Sequence, residues 1–400
     1  MKRLRLQILT AIVSGGIIAV TSCSKAEEGN PFSEQLPEAC IVDTIYYQGD
    51  TSNNCITYVI NYPSTDPFGR PVTLSGTITM LRHMLDREET FKGCLLYNHY
   101  TVFSSEEVPS RGDLVQQCIA AAYGLVIVSP DYYGFGVTVD KPQAYCISRA
   151  NGKAALDCYI SARKILADKG IECGDDLITC GYSQGAQTTV GVLREVAENH
   201  PEIRVRKAFA GDGPYDINTI YNKFVLTDFT VMPSTVANVI YSYNYFFGLG
   251  YSLNEMFIGR TAENFEEWFL SKKYDGDTIE QFMGTTKCSD FIAPAVLDRS
   301  TVIGNDFLTA FAHDNLSKDW SPRSDFDVTI YHDINDDAVP VENSRTLIKF
   351  LKENGVKVED IIADHSTGAG DTFGQTNHQR AALGFVLLVT NWISANYGIN

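Results

Sequence analysis

The chain is short of positive charge. Its 400 residues carry 32 Lys and Arg against 49 Asp and Glu, a formal charge of −17. That imbalance excludes nucleic acid as a partner, because the phosphate backbone would be repelled. None of the ten cysteines pairs at zinc-site spacing, so nothing supports a metal, and no pattern calls for a cofactor. Internal repeats and low-complexity tracts are also missing. Histidines number only seven, which narrows the choice of a catalytic base. What is left is an ordinary globular composition, 44% hydrophobic and 20% charged, sufficient for a sizeable core.

The first 22 residues read as a leader. A basic start (Lys2, Arg3, Arg5) enters an uncharged, mostly apolar run from Leu6 to Val20, short for a membrane span and built like a signal peptide. The run ends in Val20-Thr21-Ser22-Cys23, which resembles the bacterial lipoprotein box, with cleavage before Cys23 and acylation of its thiol. Two or more acyl chains make a stable bilayer anchor. Cleavage removes three positive charges and takes the formal charge from −17 to −20. Residues 23–45 are expected to form a polar, flexible tether containing Pro31 and Pro37. Its Ser-Lys-Ala-Glu-Glu start resembles the surface-export signal of Bacteroidetes lipoproteins, so the expected location is the outer membrane of a bacterial envelope, facing outward. Lipidation of Cys23 leaves nine cysteines, an odd number. Cys94, Cys118, Cys158 and Cys180 lie in apolar runs and read as core thiols. Cys40 and Cys55 are the pair expected to bridge in an oxidising compartment.

Beyond residue 46 the pattern is that of a single α/β domain. Strands are expected at 57–64, 71–81 and 94–98, within 125–136 as an apolar strand running into a glycine-broken loop, at "LITC" (177–180), and at 205–211, 327–333 and 358–364. Helices are expected at 112–124, 151–170, after Ser183, and at 342–355 and 378–394. Short apolar strands alternating with helices predict a mostly parallel central sheet covered on both faces. In such sheets the working groups gather at the carboxyl ends of the strands. Residues 214–322 break this rhythm. They include the aromatic-rich "VIYSYNYFFGLGYSLNEMF" (239–257). A stretch of that length between two strands of one sheet is an insertion with structure of its own, read either as extra core or as a helical cap roofing the strand ends.

The stretch "DLITCGYSQGAQTTVGVLREV" (176–196) joins a short apolar strand directly to an amphipathic helix through Gly181-Tyr182-Ser183-Gln184-Gly185. A Gly-x-Ser-x-Gly elbow lets a strained turn project one hydroxyl above the sheet. Ser183 is therefore the candidate nucleophile. The Gln184 NH, at the helix start, is a candidate oxyanion donor. A serine needs a base, and the base needs an acid to orient it. In chain order the acid comes next, and Asp336 has the spacing of the α/β-hydrolase pattern Asp-x-x-Val-Pro; Asp337 is the alternative. For the base, His378 follows a glycine-rich loop long enough to reach back over Ser183, and is preferred to His365 at the last strand's end. His83, His200 and His313 read as structural or solvated, and His332 precedes the acid. The second oxyanion donor is expected in the loop Asn98-His99-Tyr100-Thr101, from the NH of Thr101 or Tyr100.

The stretches "VIVSPDYYGFGV", "GYSQGAQTTV", "AFAGDGPYDI", "DWSPRSDFDVTIYHDINDDAVP" and "NHQRAALGFVLLVTNWI" resemble the secretory lipases of the α/β-hydrolase superfamily, the fungal lipase-A type and its bacterial relatives. The resemblance covers most of the chain from about residue 90. It implies a serine ester hydrolase with a Ser-His-Asp triad and a helical cap before the acid's strand. Two departures stand out: Ala186 replaces a glycine of many members, and the loop after residue 98 lacks a glycine pair. A small ester with an apolar acyl or aryl group is the expected substrate. Two other readings are a serine peptidase of the prolyl-oligopeptidase type and a catalytically inactive surface-binding lipoprotein. No propeller-length segment precedes residue 90, which disfavours the first. A complete set of serine, acid and histidine disfavours the second.

Overall fold

In a computed structural model the described residues are 36–47, 54–112, 121, 123–364 and 376–398. Nine strands form one sheet: β1 (Cys40–Tyr47), β2 (Cys55–Thr65), β3 (Pro71–Leu81), β4 (Cys94–Asn98), β5 (Val126–Pro130), β6 (Leu177–Tyr182), β7 (Val205–Gly211), β8 (Asp327–Asp333) and β9 (Lys357–Ala363). Their spatial order is β1-β2-β3-β5-β4-β6-β7-β8-β9. The first three strands and the β3–β5 junction are antiparallel, and every pair from β5 to β9 is parallel. The sequence explains the split. β5 and β6 are buried along their whole length, as strands inside a doubly covered parallel sheet must be. β1 to β3 follow one another through short connections, which suit antiparallel neighbours.

The covering helices are α1 (Ser148–Asp168), α2 (Gln184–Asn199), α7 (Glu342–Glu353) and α8 (Asn377–Tyr397), with α3 to α6 lying in the insertion between β7 and β8. Those are α3 (Ile217–Thr227), α4 (Pro233–Phe246), α5 (Gly276–Met283) and α6 (Val302–His313). Among the described residues no helix is long and apolar enough to cross a membrane.

Two expectations need correction here. The tether was expected to run to residue 45, but Cys40–Tyr47 pairs with β2 as an edge strand. Its isoleucines, Ile41 and Ile45, are partly buried against the core, which a solvated tether could not offer. The Cys40–Cys55 bridge is excluded by register. Cys40 lies opposite Asn61 and Cys55 opposite Tyr47. The two therefore sit at opposite ends of the ladder, roughly 20 Å apart, far beyond the reach of a disulfide. The helix expected at 112–124 and the leader with Cys23 lie largely or wholly outside the described residues.

Candidate active site

The parallel register brings four strand ends to one edge, with Asn98 beside Gly181, Tyr182 beside Gly211, and Gly211 beside Tyr331. Ser183 follows β6 at that edge with φ 57° and ψ −122°. A non-glycine residue in this region is strained, and surrounding structure must hold it there. The flanking glycines show how it is held. A Cβ on Gly181 would lie 2.2 Å from the Gly185 carbonyl oxygen, and one on Gly185 would lie 2.1 Å from that of Asn98. The turn closes only because neither residue has a side chain. The Ser183 NH donates to Gly211 O at 2.8 Å, fastening the elbow to β7.

His378 enters from the first turn of α8. A capping box sets that helix start: Thr376 accepts from the Gln379 NH, and the Gln379 side chain accepts from the Thr376 NH. Asp337 carboxylate oxygens then accept from the NH groups of Asn377 and His378, at 3.1 and 3.2 Å. The Tyr182 hydroxyl donates to the His378 carbonyl at 2.5 Å. With its backbone so held, the imidazole bridges two partners, Asp336 Oδ2 at 2.6 Å from Nδ1 and Ser183 Oγ at 2.9 Å from Nε2. The other Asp336 oxygen accepts from the NH groups of Ala338 and Val339 at 2.8 and 2.7 Å. Burial works to raise the Asp336 carboxyl, but the His378 imidazole and these donors hold it below its ordinary value, so it is an anion. The two aspartates share the labour: Asp336 faces the imidazole and Asp337 holds the main chain.

His365 lies outside the described residues. His332 is fully buried; its Nδ1 meets Ser344 Oγ at 2.7 Å and its Nε2 meets Val339 O at 3.1 Å. Burial depresses its proton affinity and keeps it neutral. It braces the acid loop from below.

Sequence reasoning missed Asp212. This residue follows β7 directly with φ 46°, is fully buried, accepts from the Asp333 NH at 2.9 Å, and lies 3.5 Å from His332 Nε2. Oxygen and nitrogen atoms of Asp212, His332 and Asp336 fall within 4.8 Å of one another. Burial and the neighbouring Asp336 charge push the Asp212 carboxyl well above its ordinary value. Only its place in "AFAGDGPYDI", one residue past an apolar strand, could have pointed to it. Tyr182 was missed likewise, although it fills the variable position of the elbow.

Gln184 opens α2, so its NH is one of the helix-start donors that no intrahelical carbonyl can satisfy. The loop after β4 presses on the elbow, as the Gly185–Asn98 approach demonstrates. There the Tyr100 carbonyl accepts from His99 Nδ1 at 2.7 Å, while the Thr101 hydroxyl meets the Tyr145 hydroxyl at 2.9 Å.

Above Ser183 and His378 opens an apolar cavity. Its walls are Ile217, Ile220, Tyr221 and Phe224 of α3, Val236, Val239 and Ile240 of α4, Phe311 of α6, and Tyr145 and Val339 from the sheet side. The aromatics of 239–257 mostly pack elsewhere. Tyr241 packs on Phe265 with tilted rings, and Tyr243 lies between Phe247 and Phe311. They form the insertion's own core, and aliphatic side chains of the same helix face the serine.

A mostly parallel sheet with a strained serine at one strand's end defines an α/β-hydrolase. The chain belongs to the secretory lipase family, whose model matches residues 113–385, and so to the lipase and esterase hydrolases that act on ester substrates. No curated protein matches it. Among solved structures it is similar to LipA, a rice cell wall degrading esterase from Xanthomonas oryzae, at 20% identity over 86% of this chain and 92% of that one, with a TM-score of 0.73. It is also similar to Candida antarctica lipase A in its closed state, at 15% identity over 82% and 77%, with a TM-score of 0.57.

Proposed function

We propose that the protein hydrolyses carboxylic esters through Ser183, His378 and Asp336 by way of an acyl-enzyme. One observation carries the reading: an unbroken hydrogen-bonded line from Asp336 through His378 to a strained Ser183 that faces an apolar cavity. Ser183 Oγ attacks the ester carbonyl while His378 Nε2 takes its proton, then returns it to the departing alcohol. Water activated by the same nitrogen releases the acid. Asp336 stays ionised throughout and stabilises the imidazolium. The Gln184 NH receives the developing oxyanion. As the second donor, Thr101 is favoured over Tyr100. In a trans peptide the NH opposes the carbonyl, and the Tyr100 carbonyl is turned onto the His99 ring. The insertion, residues 214–322, acts as the cap, and its aliphatic wall selects a small ester with an apolar acyl or aryl group. The leader with Cys23 carries a lipid anchor to the outer membrane.

The test is turnover of chromogenic esters of graded acyl length, with fluorophosphonate labelling, for the protein and for Ser183→Ala. Hydrolysis and labelling that both vanish in the variant are expected, with a loss of about 10⁶-fold in kcat. A folded protein that neither turns over esters nor takes the label would leave an inactive scaffold. Labelling with palmitate in cells, lost in Cys23→Ala, checks the anchor.

A further inference from the structure

We infer that Cys94 and Cys173 form a disulfide that ties the amino ends of β4 and β6 together. The two sulfurs stand 3.5 Å apart although the residues are 79 positions distant in the chain. Cys94 is the first residue of β4, and Cys173 lies in the turn that leads into β6. The backbone brings them together independently of the sulfurs. Phe91 and Cys173 form a parallel bridge, the Phe91 NH donates to Glu172 O at 2.9 Å, and the Cys94 NH donates to Asp176 O at 2.8 Å. A disulfide bond is about 2.05 Å long, so the two sulfurs stand about 1.5 Å beyond bonding distance.

The pair is also chemically uneven. Cys94 is fully buried, whereas Cys173 is partly exposed. Arg163 lies over Cys173, donating to its carbonyl at 3.2 Å and to Asp175 Oδ1 at 3.0 Å. The hydrogen bond shared with Cys94, with the Arg163 guanidinium, draws the Cys173 thiol below its ordinary value against the cost of burial. Cys94 moves the other way, through the same hydrogen bond and through burial. Cys173, the more exposed thiol and the one beside Arg163, is the entering thiolate.

The oxidant is an external disulfide, such as that of a small thiol or a thiol oxidoreductase. Cys173 thiolate attacks one of its sulfurs, forming a mixed disulfide and expelling one thiolate. That thiolate takes the Cys94 proton, and Cys94 then attacks Cys173 Sγ and expels the second thiolate. In balance, two protein thiols and one external disulfide become one protein disulfide and two small thiols. No electron is left over. The bond staples the two strands whose far ends carry the Asn98–Thr101 loop and Ser183, behind the site and outside its chemistry.

The full chain is equilibrated with oxidised glutathione, quenched with iodoacetamide and mapped by mass spectrometry without reduction. The expected product is one peptide pair joining Cys94 to Cys173, absent from Cys94→Ser and from Cys173→Ser. A phosphine reductant is expected to lower the Tm of the protein by roughly 5 °C and to leave that of either variant unchanged. The idea fails if both thiols take up iodoacetamide, if Cys173 carries only glutathione, or if either cysteine pairs with another. Ester hydrolysis followed on the same samples reports separately on Ser183, because the linkage needs no turnover.

Discussion

The two walls around Ser183 are built on opposite principles. The sheet wall is polar and over-determined. Ser183, His378, Asp336, Asp337, Asp212 and His332 are fixed by hydrogen bonds from strand ends and from the first turn of α8. The insertion wall is apolar and fixed by shape, with Ile217, Ile220, Val236, Val239 and Ile240 offering no polar group to the serine. Chemistry needs the first kind of wall, since a misplaced proton carrier costs orders of magnitude. Selectivity needs the second, where a change of one side chain shifts the preferred acyl group by modest steps.

The contrast breaks most visibly at the polar wall. Asp336→Asn keeps the shape but leaves the imidazole with the wrong tautomer, and kcat is expected to fall by about 10⁴-fold. Retention of more than a tenth of the activity in steady-state assays would remove Asp336 from its role. Its neighbour should behave differently. Burial and the Asp336 charge favour the neutral form of Asp212, so Asp212→Asn is a close mimic and the expected loss in kcat/KM at neutral pH is less than about tenfold. If both variants lose activity equally, the opposite shifts of the two carboxyls are refuted.

A smaller effect is expected at the apolar wall. Ile240→Trp fills part of the cavity, so kcat/KM for long acyl chains should fall by about 10- to 100-fold while acetyl esters change little. A uniform loss across chain lengths would mean that Ile240 does not line the acyl site. The smallest concerns stability within the insertion. Glu280 on α5 accepts from Ser234 Oγ at 2.8 Å, and burial raises its carboxyl to about 7. Between its unfolded value and 7 the folded state holds a proton that the unfolded chain has released, so stability falls as pH rises through that window. Glu280→Gln should flatten this, sparing a drop in Tm of roughly 5 °C between pH 5 and 8. A pH profile of Tm identical to that of the parent would refute the assignment.

Several features were legible because their signals are local. Strands 71–81, 94–98, 205–211 and 327–333 fall where apolar runs between turn residues predict them. The elbow announces itself through its two glycines, because a chain so tightly folded admits no side chain at either place. The aromatics of 239–257 misled in part, since helical spacing states which residues share a face but not what that face meets. Cys94 read as a core thiol for the same reason: an apolar run reveals burial and conceals the neighbour.

Sequence alone therefore determined the parallel α/β framework, the serine at its turn, and a short list of candidate acids and histidines. These rest on periodicity, turn chemistry and chain order, all carried by neighbouring residues. Tertiary structure alone decided that Asp212 and His332 lie beneath Asp336, that Tyr182 holds the His378 backbone, that α3 and α4 turn aliphatic faces to the cavity, and that Cys94 meets Cys173. Most of these join residues far apart in the chain, and which strand ends become neighbours is set by the sheet order, a property of the whole fold.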